Sequence, residues 1–492
     1  MALLDIFRRK PAEQPKRRHF SKLPRRAFDA ASGSRLFADW TTSSYSSTEE
    51  LKFTLGKMRA RSRDLWNNND YARRFIELCK TNIAGPNGVK LQARATEDNG
   101  ASDTLANQII EREFGNWGQA CTVDGRMTWV DAQKLFVEAC ARDGECLVRL
   151  VRGYNNPYGF ALQFIEADHL DETFNREIRN DGRIEMSVEM DRFRKPTAYH
   201  LLVKAPNGGY LQPGNERIRV PASEIIHGYV VNRPAQVRGI PWAVTAMSRL
   251  HMLGAYEESE LVAARVASAK MGFFTSPDGE GYIGEDLEDN YTPIMEAEPG
   301  TFEQLPAGMS FQEFDPSHPT TAFKDFEKAM LRGIASGLNV SYASLSNDLE
   351  SVNYSSIRQG SLDERDHWRS SQRWLIDHFC RPIYLAWLEE ALARQAVPLP
   401  VRKRDKWQSV EFHPRGWQWI DPQKEVAANV EAVKNGFKSL ADVMAEQGRD
   451  GEDTLSRLAI EKELAEGLGL NLQLGEAKDA MPEVTGDYNG DD

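Results

Sequence analysis

The chain has 492 residues, room for about three domains of ordinary size and a large core. Its 61 Lys+Arg against 73 Asp+Glu give a net charge of −12, which excludes a coat that holds nucleic acid by bulk positive charge. Five widely spaced cysteines with no C-x-x-C pair exclude a disulfide scaffold and a Cys-rich zinc site, and fit a reducing compartment. No apolar run is long enough for a transmembrane helix. Residues 1–7 run directly into Arg8-Arg9-Lys10, which excludes a secretory signal.

Taken in chain order, residues 1–48 read as a flexible basic arm. Residues 1–26 hold nine bases and two acids, and a Ser/Thr-rich stretch follows. Such an arm is open to three readings: phosphate contact, an assembly tail, or contact with another anionic surface. A helical pattern starts near Glu49 with Leu51, Leu55, Met58 and Leu65 on one face, a break falls at residues 64–70, and a second helix covers 71–81. The turn Gly85-Pro-Asn-Gly88 closes it, and further helices are predicted at 102–117 and 129–142. Short β-branched runs at 145–151, 161–165, 183–190, 198–203 and 224–231, separated by Asn/Gly/Pro turns, predict a sheet. The first half is therefore α+β.

The middle of the chain changes character. Residues 242–270 lack proline and read as one long helix, with Ala263, Ala264, Ala267, Ser268 and Ala269 forming a small-residue face for close packing. A second amphipathic helix covers 323–338, with Phe323, Phe326, Met330, Ile334 and Leu338 on one stripe. Between them, residues 271–323 contain 11 acids and no Lys or Arg, which reads as a compact acidic β-containing insert. A Ser/Asn-rich loop at 339–353 leads into a helical region at 354–394 with a kink at Pro382. A connector with one strand at 409–413 follows, then helices at 423–435, 439–447 and 453–467. The last stretch, 451–492, holds 11 acids and three bases.

Catalytic and cofactor motifs are mostly missing. There is no Walker P-loop, H-E-x-x-H, G-x-S-x-G, dinucleotide fingerprint or EF-hand, and no cofactor or metal is expected. The nine histidines are scattered, and His367 and His378 lie eleven residues apart, too far along a helix to share a metal. Glu166 and Asp168, at the end of a predicted strand, alternate onto one side as a glycosidase pair would; strand-end carboxylates more often cap turns. A carboxylate-dependent hydrolase and an acidic protein-binding scaffold or adaptor are thus the alternatives to a structural role.

Several strings, in this order, resemble the lambda-type portal proteins of tailed bacteriophages. They begin with Arg61-Ser-Arg-Asp-Leu-Trp-Asn-Asn-Asn-Asp70, Gly85-Pro-Asn-Gly-Val-Lys-Leu-Gln92, Arg142-Asp-Gly-Glu-Cys-Leu-Val-Arg149 and Gln163-Phe-Ile-Glu-Ala-Asp168. Next come Val220-Pro-Ala-Ser-Glu-Ile-Ile-His227 and Asn232-Arg-Pro-Ala-Gln-Val-Arg-Gly-Ile-Pro-Trp242. Pro299-Gly300, Leu331-Arg-Gly-Ile-Ala-Ser-Gly-Leu-Asn-Val-Ser-Tyr342 and Asn353-Tyr-Ser-Ser-Ile-Arg358 complete the set. The resemblance implies a non-enzymatic ring, typically of twelve subunits, at one capsid vertex of the virion, assembled in the host cytoplasm. Double-stranded DNA would be packaged and ejected through it without sequence preference.

The resemblance also implies a division of the chain. Residues 49–240 would form an α+β wing with a return at 354–420, 241–270 and 321–338 the stem helices, 271–320 the clip, 339–353 the tunnel loop, and 421–470 a helical crown before an acidic tail at 471–492. Clip acids Asp278, Glu285, Asp286, Glu288, Asp289, Glu296, Glu298 and Glu303 would dock the terminase large subunit and head-completion or connector proteins. The major capsid or scaffold protein would be a further partner, and no membrane is involved. Ser344, Ser346, Asn347, Ser351 and Asn353 of the tunnel loop would make short-lived hydrogen bonds to DNA, with Asp348 and Glu350 limiting attraction. Lys324, Lys328 and Arg332, one turn apart, would face DNA or pair with Glu257, Glu258 or Glu260 across subunits.

Overall fold

The computed structural model describes residues 44–179, 182–203, 216–268, 320–350, 354–417 and 422–470, with Asp39, Thr41, Thr42 and two strands at 272–275 and 310–313. The chain divides into Met1–Ser46 and Ser47–Asp492; all that follows concerns the second unit. Residues 1–38 of the basic arm, the clip acids, Ser351, Asn353 and the tail at 471–492 lie outside the described residues, while Ser47 and Thr48, expected in the arm, begin the first helix.

Three helices open the unit: α1 (Ser47–Lys52), α2 (Leu55–Asn68) and α3 (Asp70–Cys79), the last continued by a π turn, Lys80–Ala84. The break expected across residues 64–70 is confined to Asn69. Its side chain accepts from the Ala72 amide and caps α3, so its neighbours stay helical. Strand β1 (Lys90–Ala93) precedes α4 (Thr104–Trp117) and α5 (Trp129–Asp143). Helix α4 starts two residues later than expected, where Asp103 accepts from the Ala106 amide, and at the start of α5 Thr128 and Asp131 form a reciprocal capping box. In α4, Gly115 is exposed and a Cβ there would meet nothing within 4 Å. Gly115→Ala is therefore expected to stabilise the chain by about 0.5–1 kcal/mol, read as a raised urea midpoint.

Strands β2 (Glu145–Arg152) and β3 (Phe160–Ile165) are followed by β4 (Arg176–Glu177), β5 (Arg183–Glu185), β6 (Val188–Met190), β7 (Pro196–Leu202), β8 (Arg217–Pro221) and β9 (Ile225–Tyr229). They form two antiparallel sheets, ordered β3-β2-β9 and β4-β5-β6-β7-β8. The run 183–190, expected as one strand, is a hairpin, because Met186 and Ser187 take positive φ and reverse the chain.

Helix α6 (Met247–Ser268) begins five residues later than expected, since residues 242–246 form turns. Strands β10 (Gly272–Thr275) and β11 (Ser310–Glu313) pair antiparallel at the root of the acidic insert. Helix α7 (Thr320–Gly337) returns, and α8 (Tyr342–Ser346) occupies what the sequence reads as loop. Helix α9 (Tyr354–Leu375) passes through a π turn, Ile376–Cys380, into α10 (Arg381–Ala393). The irregularity expected at Pro382 thus falls in the turn just before it, where the missing proline N–H relaxes the ladder. Helix α11 (Arg404–Trp407) and β12 (Val410–His413) follow, then α12 (Pro422–Lys434), α13 (Leu440–Glu446) and α14 (Gly451–Gly467). Strand β12 pairs with β1, Lys90 opposite His413, tying the end of the α9–α10 segment to the first helices.

The core lies where α4, α5 and the α9–α10 segment meet the β3-β2-β9 sheet. Phe136 and Phe379 stack at 4.2 Å, Trp129 lies parallel to Phe379 at 5.3 Å, and Trp387 meets Phe114 edge-on at 5.0 Å. All five cysteines are free and buried, and burial pushes each thiol up, so none is set up as a nucleophile.

At the start of β2, the central strand of that sheet, sits a charge cluster around the fully buried Glu145. Arg238, also fully buried, grips its carboxylate with Nε at 2.9 Å and Nη2 at 2.5 Å, and Arg59 Nη2 adds a bond at 2.8 Å. His227 Nε2 lies 2.9 Å from Oε2, and the Gly239 amide donates to the same oxygen at 3.0 Å. Arg59 also reaches Asp168 and Glu172, while Arg63 bridges Asp143 and Asp168. Five of the strings that resemble the portal family converge here, each supplying at least one of these groups.

Candidate functional site

The long helix pair and the segment after it bring together most of the predicted site residues that are described. Helices α6 and α7 run antiparallel: Gly337 packs on Thr245 and Ala246, Gly333 on Arg249, and Tyr256 on Phe323 and Phe326. A Cβ at 333 would lie 2.4 Å from the Arg249 guanidinium, which would have to swing aside, and one at 337 would lie 3.2 Å from the Thr245 hydroxyl. On the other side of α6, Leu261 is 64% and Val262 51% exposed, and Ala264 is exposed too. Among the described residues nothing covers these three side chains.

Lys324, Lys328 and Arg332 lie along α7 as expected, but their partners are in the same chain. Lys324 Nζ meets Glu350 at 2.6 Å and Lys328 Nζ meets Asp348 at 3.2 Å. Arg332 and Lys328 both sit 5.7 Å from the Tyr342 ring. The expected pairing with Glu257, Glu258 or Glu260 runs between subunits and is a property of the assembly. Glu257 and Glu327 instead share the Tyr71 hydroxyl, at 3.4 and 3.2 Å, and burial followed by the Glu327 charge raises the Glu257 carboxyl. Asp348 is pulled down to about 2 by the Glu350 amide first, then by the Tyr342 hydroxyl and Lys328.

The segment expected as a hydrogen-bonding loop is structured by its own polar groups. Ser341 caps α8 by accepting from the Ser344 amide, and Asn347 ends it in the left-handed region at φ 56°. Ser344 Oγ donates to Glu364 at 2.9 Å, Ser346 Oγ to the Tyr342 carbonyl at 2.8 Å, and Asn347 accepts from Arg74 at 3.3 Å. These side chains are thus engaged with the chain itself. Sequence reading missed Tyr342, Glu364 and Arg74. A Ser at 341 three residues before Ser344 was the available signal, since it marks a helix start.

The carboxylates weighed for hydrolysis do not form a pair. Glu166 is exposed, whereas Asp168 is held by Arg59 and Arg63 at the edge of the buried cluster. Among the described residues no three His, Cys, Asp or Glu side chains are placed to hold a metal ion. Among them, too, no helix is long and apolar enough to cross a membrane.

Fold and site together define a mixed helix–sheet subunit with a long antiparallel helix pair, one helix of which packs against a short capped helix. The chain belongs to the lambda family of phage portal proteins, whose family model matches residues 33–372. It is 33% identical to a probable portal protein of Halomonas phage phiHAP-1, over 98% of this chain and 95% of that one. It is 21% identical to portal protein B of Escherichia phage lambda, over 82% and 83% of the two chains. Among solved structures, a chain in the neck of an empty gene transfer agent particle aligns with a TM-score of 0.42 at 14% identity, covering 81% of this chain and 93% of that one.

Proposed function

We propose that copies of this chain close into a ring at one vertex of the capsid, and that double-stranded DNA passes through its axis during packaging and ejection. Membership of the portal family over most of the chain carries this reading. The exposed Leu261 and Val262 of α6 support it, because a ring sets the same helix beside a neighbour's and buries such side chains against it. In this reading residues 49–240 and 354–420 are the wing, α6 and α7 the stem, 271–320 the clip, 339–353 the tunnel loop and 421–470 the crown. The clip acids dock the terminase large subunit and connector proteins, and the major capsid or scaffold protein surrounds the ring. The chain catalyses nothing itself. Assembly takes place in the host cytoplasm and the product resides in the virion.

The charge pattern suits a conduit. Phosphates passing within about 8 Å of carboxylates are repelled at physiological salt, so a wall of net negative charge does not hold DNA. Lys324 and Lys328 would be adhesive were they bare, and Glu350 and Asp348 occupy them. Negative-stain imaging and native mass of the purified chain are expected to show a closed ring with a central hole; monomers alone at every concentration would overturn the proposal. Asp348→Asn with Glu350→Gln is expected to expose the two lysines, tighten ring–DNA binding and lower the nuclease-protected DNA per particle. Unchanged packaging would remove the tunnel loop from the mechanism while leaving the ring standing.

A further inference from the structure

Three helices meet at one phenol. Tyr71, in the first turn of α3, sets its hydroxyl 3.4 Å from Glu257 of α6 and 3.2 Å from Glu327 of α7. Leu253 and Leu331 are the outermost buried residues of α6 and α7 among those described, and the two glutamates stand one turn beyond them. The contact therefore sits where the helix pair leaves the body of the subunit. Its charge is unbalanced. Neither glutamate enters an ion pair among the described residues, and the charges that act on Glu257 are those of Glu327 and Asp70, both negative. The cations of the neighbouring helices are committed elsewhere: Lys324 and Lys328 of α7 to Glu350 and Asp348, Arg74 of α3 to the Ser344 carbonyl and Asn347, Arg59 and Arg63 of α2 to the Glu145 cluster. Arg332 and Arg73 lie against the Tyr342 and Trp66 rings. Lys57, Arg61 and Asp64 of α2, and His251 and Glu258 of α6, are exposed to solvent.

A phenol carries one proton, so it donates to one carboxylate at a time. With both glutamates ionised, one of them faces a like charge with no donor between. One added proton resolves this. A neutral Glu257 donates to the Tyr71 oxygen, and Tyr71 donates to Glu327, the nearer acceptor, which stays ionised. Each contact in the row then has a donor and an acceptor. We propose that Glu257, Tyr71 and Glu327 hold one shared proton and form a latch, which fastens the helix pair to α3 while the proton is bound and loosens it when the proton leaves. Glu257 is where the proton resides: burial first, then the charge of Glu327, raises its carboxyl, Asp70 adds to this, and the Tyr71 hydrogen bond opposes it only in part. A glutamate raised in the folded chain keeps its proton at a pH where the unfolded chain has lost it. Its contribution therefore weakens as pH rises from about 4.3, the ordinary glutamate value, through the folded one. That is opposite in sign to a carboxylate gripped by arginine, such as Glu145. The latch belongs to one subunit and does not depend on the ring.

The test compares the full-length native chain with Glu257→Gln, whose amide donates to Tyr71 as the protonated acid does but has no proton to lose. Amide hydrogen exchange over residues 254–262 is measured in both at each pH, so that the pH dependence of the exchange chemistry cancels in their ratio. At about pH 8 these amides should exchange several-fold more slowly in the variant, and near about pH 4.5 the ratio should approach one. Infrared spectra supply the second measurement. At about pH 5.5, where an ordinary glutamate is ionised, the native-minus-variant difference should contain the carbonyl band of a protonated carboxyl. The same difference taken in a Glu327→Gln background should lack it, because the charge that raises Glu257 is gone. A ratio that does not change with pH, or the absence of that band, overturns the proposal. Closure of the gap at the higher pH by millimolar magnesium instead of acid also overturns it, and makes the junction a cation site.

Discussion

Glu145→Ala is expected to cost about 3–5 kcal/mol and to leave little folded protein, because it strands the buried Arg238 without its ion-pair partner, while Arg59 keeps Asp168 and Glu172. Arg238 is fully buried and directs three of its bonds at Glu145; its others go to the carbonyls of Ala167, Leu170 and Met186. Those carbonyls cannot neutralise a guanidinium. The urea midpoint and the yield of soluble chain are the measurements, and a midpoint shifted by less than the cost of a neutral hydrogen bond would refute the account. The cluster also sets the acid limit of the fold. Arg238 and His227 outweigh burial and hold the Glu145 carboxyl well below its usual value, while burial foremost lowers His227, with Arg238 and Arg59 acting in the same direction. His227 is thus neutral, and its Nε2 proton is donated to Glu145.

Both groups have folded values below their unfolded ones, so both contributions are complete at neutral pH and are lost as pH falls. The His227 part begins to go below about 6.5 and the Glu145 part below about 4.3, the ordinary values for these side chains. A series of urea midpoints from pH 8 down to about pH 2 should therefore fall in two stages. His227→Gln, which keeps a donor to Glu145 but cannot gain a proton, should shrink the upper stage, to which the part-buried His367 and His413 also contribute, and leave the lower one. An unchanged upper stage would mean that another histidine sets it.

The strongest local signals were legible in the sequence for a physical reason. Helices α4 and α5 start at Asp103 and Thr128 because a side chain there replaces a missing backbone acceptor, and such caps are visible without tertiary information. The buried charge cluster was not read, although half of it was readable. Arg59 falls on the stripe Leu55, Arg59, Ser62, Leu65 that α2 buries, and Glu145 opens a strand whose next three residues are all buried. A charge on a buried stripe must find a partner, but periodicity does not say which one. Helix α8 was missed because Ser344, Ser346 and Asn347 are the residues of a polar loop when taken singly. Their partners Glu364 and Arg74 lie 20 and more than 250 residues away along the chain. The stem cations show the same limit: spacing placed Lys324, Lys328 and Arg332 on α7, and only the return of the chain through α8 assigned them to Glu350, Asp348 and Tyr342.

Gly144→Ala is expected to be as damaging as the loss of Glu145, through the backbone instead of charge. Gly144 ends α5 in the left-handed region at φ 90°, donating its amide to the Cys140 carbonyl. A methyl group there meets two costs. The conformation itself disfavours any L side chain by about 1–2 kcal/mol. The new Cβ would also stand 2.5 Å from the Ile240 carbonyl carbon and 2.6 Å from the Pro241 nitrogen, main-chain atoms with no rotamer to yield. Relief requires the segment from Arg238 to Pro241 to move, yet that segment delivers Arg238 and the Gly239 amide to Glu145. Gly239 is pressed against it from the other side, where a Cβ would lie 2.1 Å from the Gly144 carbonyl oxygen. The total should exceed about 4 kcal/mol, the range reserved for disruption of a packed network. Gly100→Ala is the matched control, at φ 84° with nothing within 4 Å, and should show only the conformational part of about 1–2 kcal/mol. Parallel urea titrations separate the two effects: equal costs at 144 and 100 would mean that the close approach to residues 240 and 241 contributes nothing, whereas a gap of several kcal/mol measures how firmly this crossing pins the buried cluster.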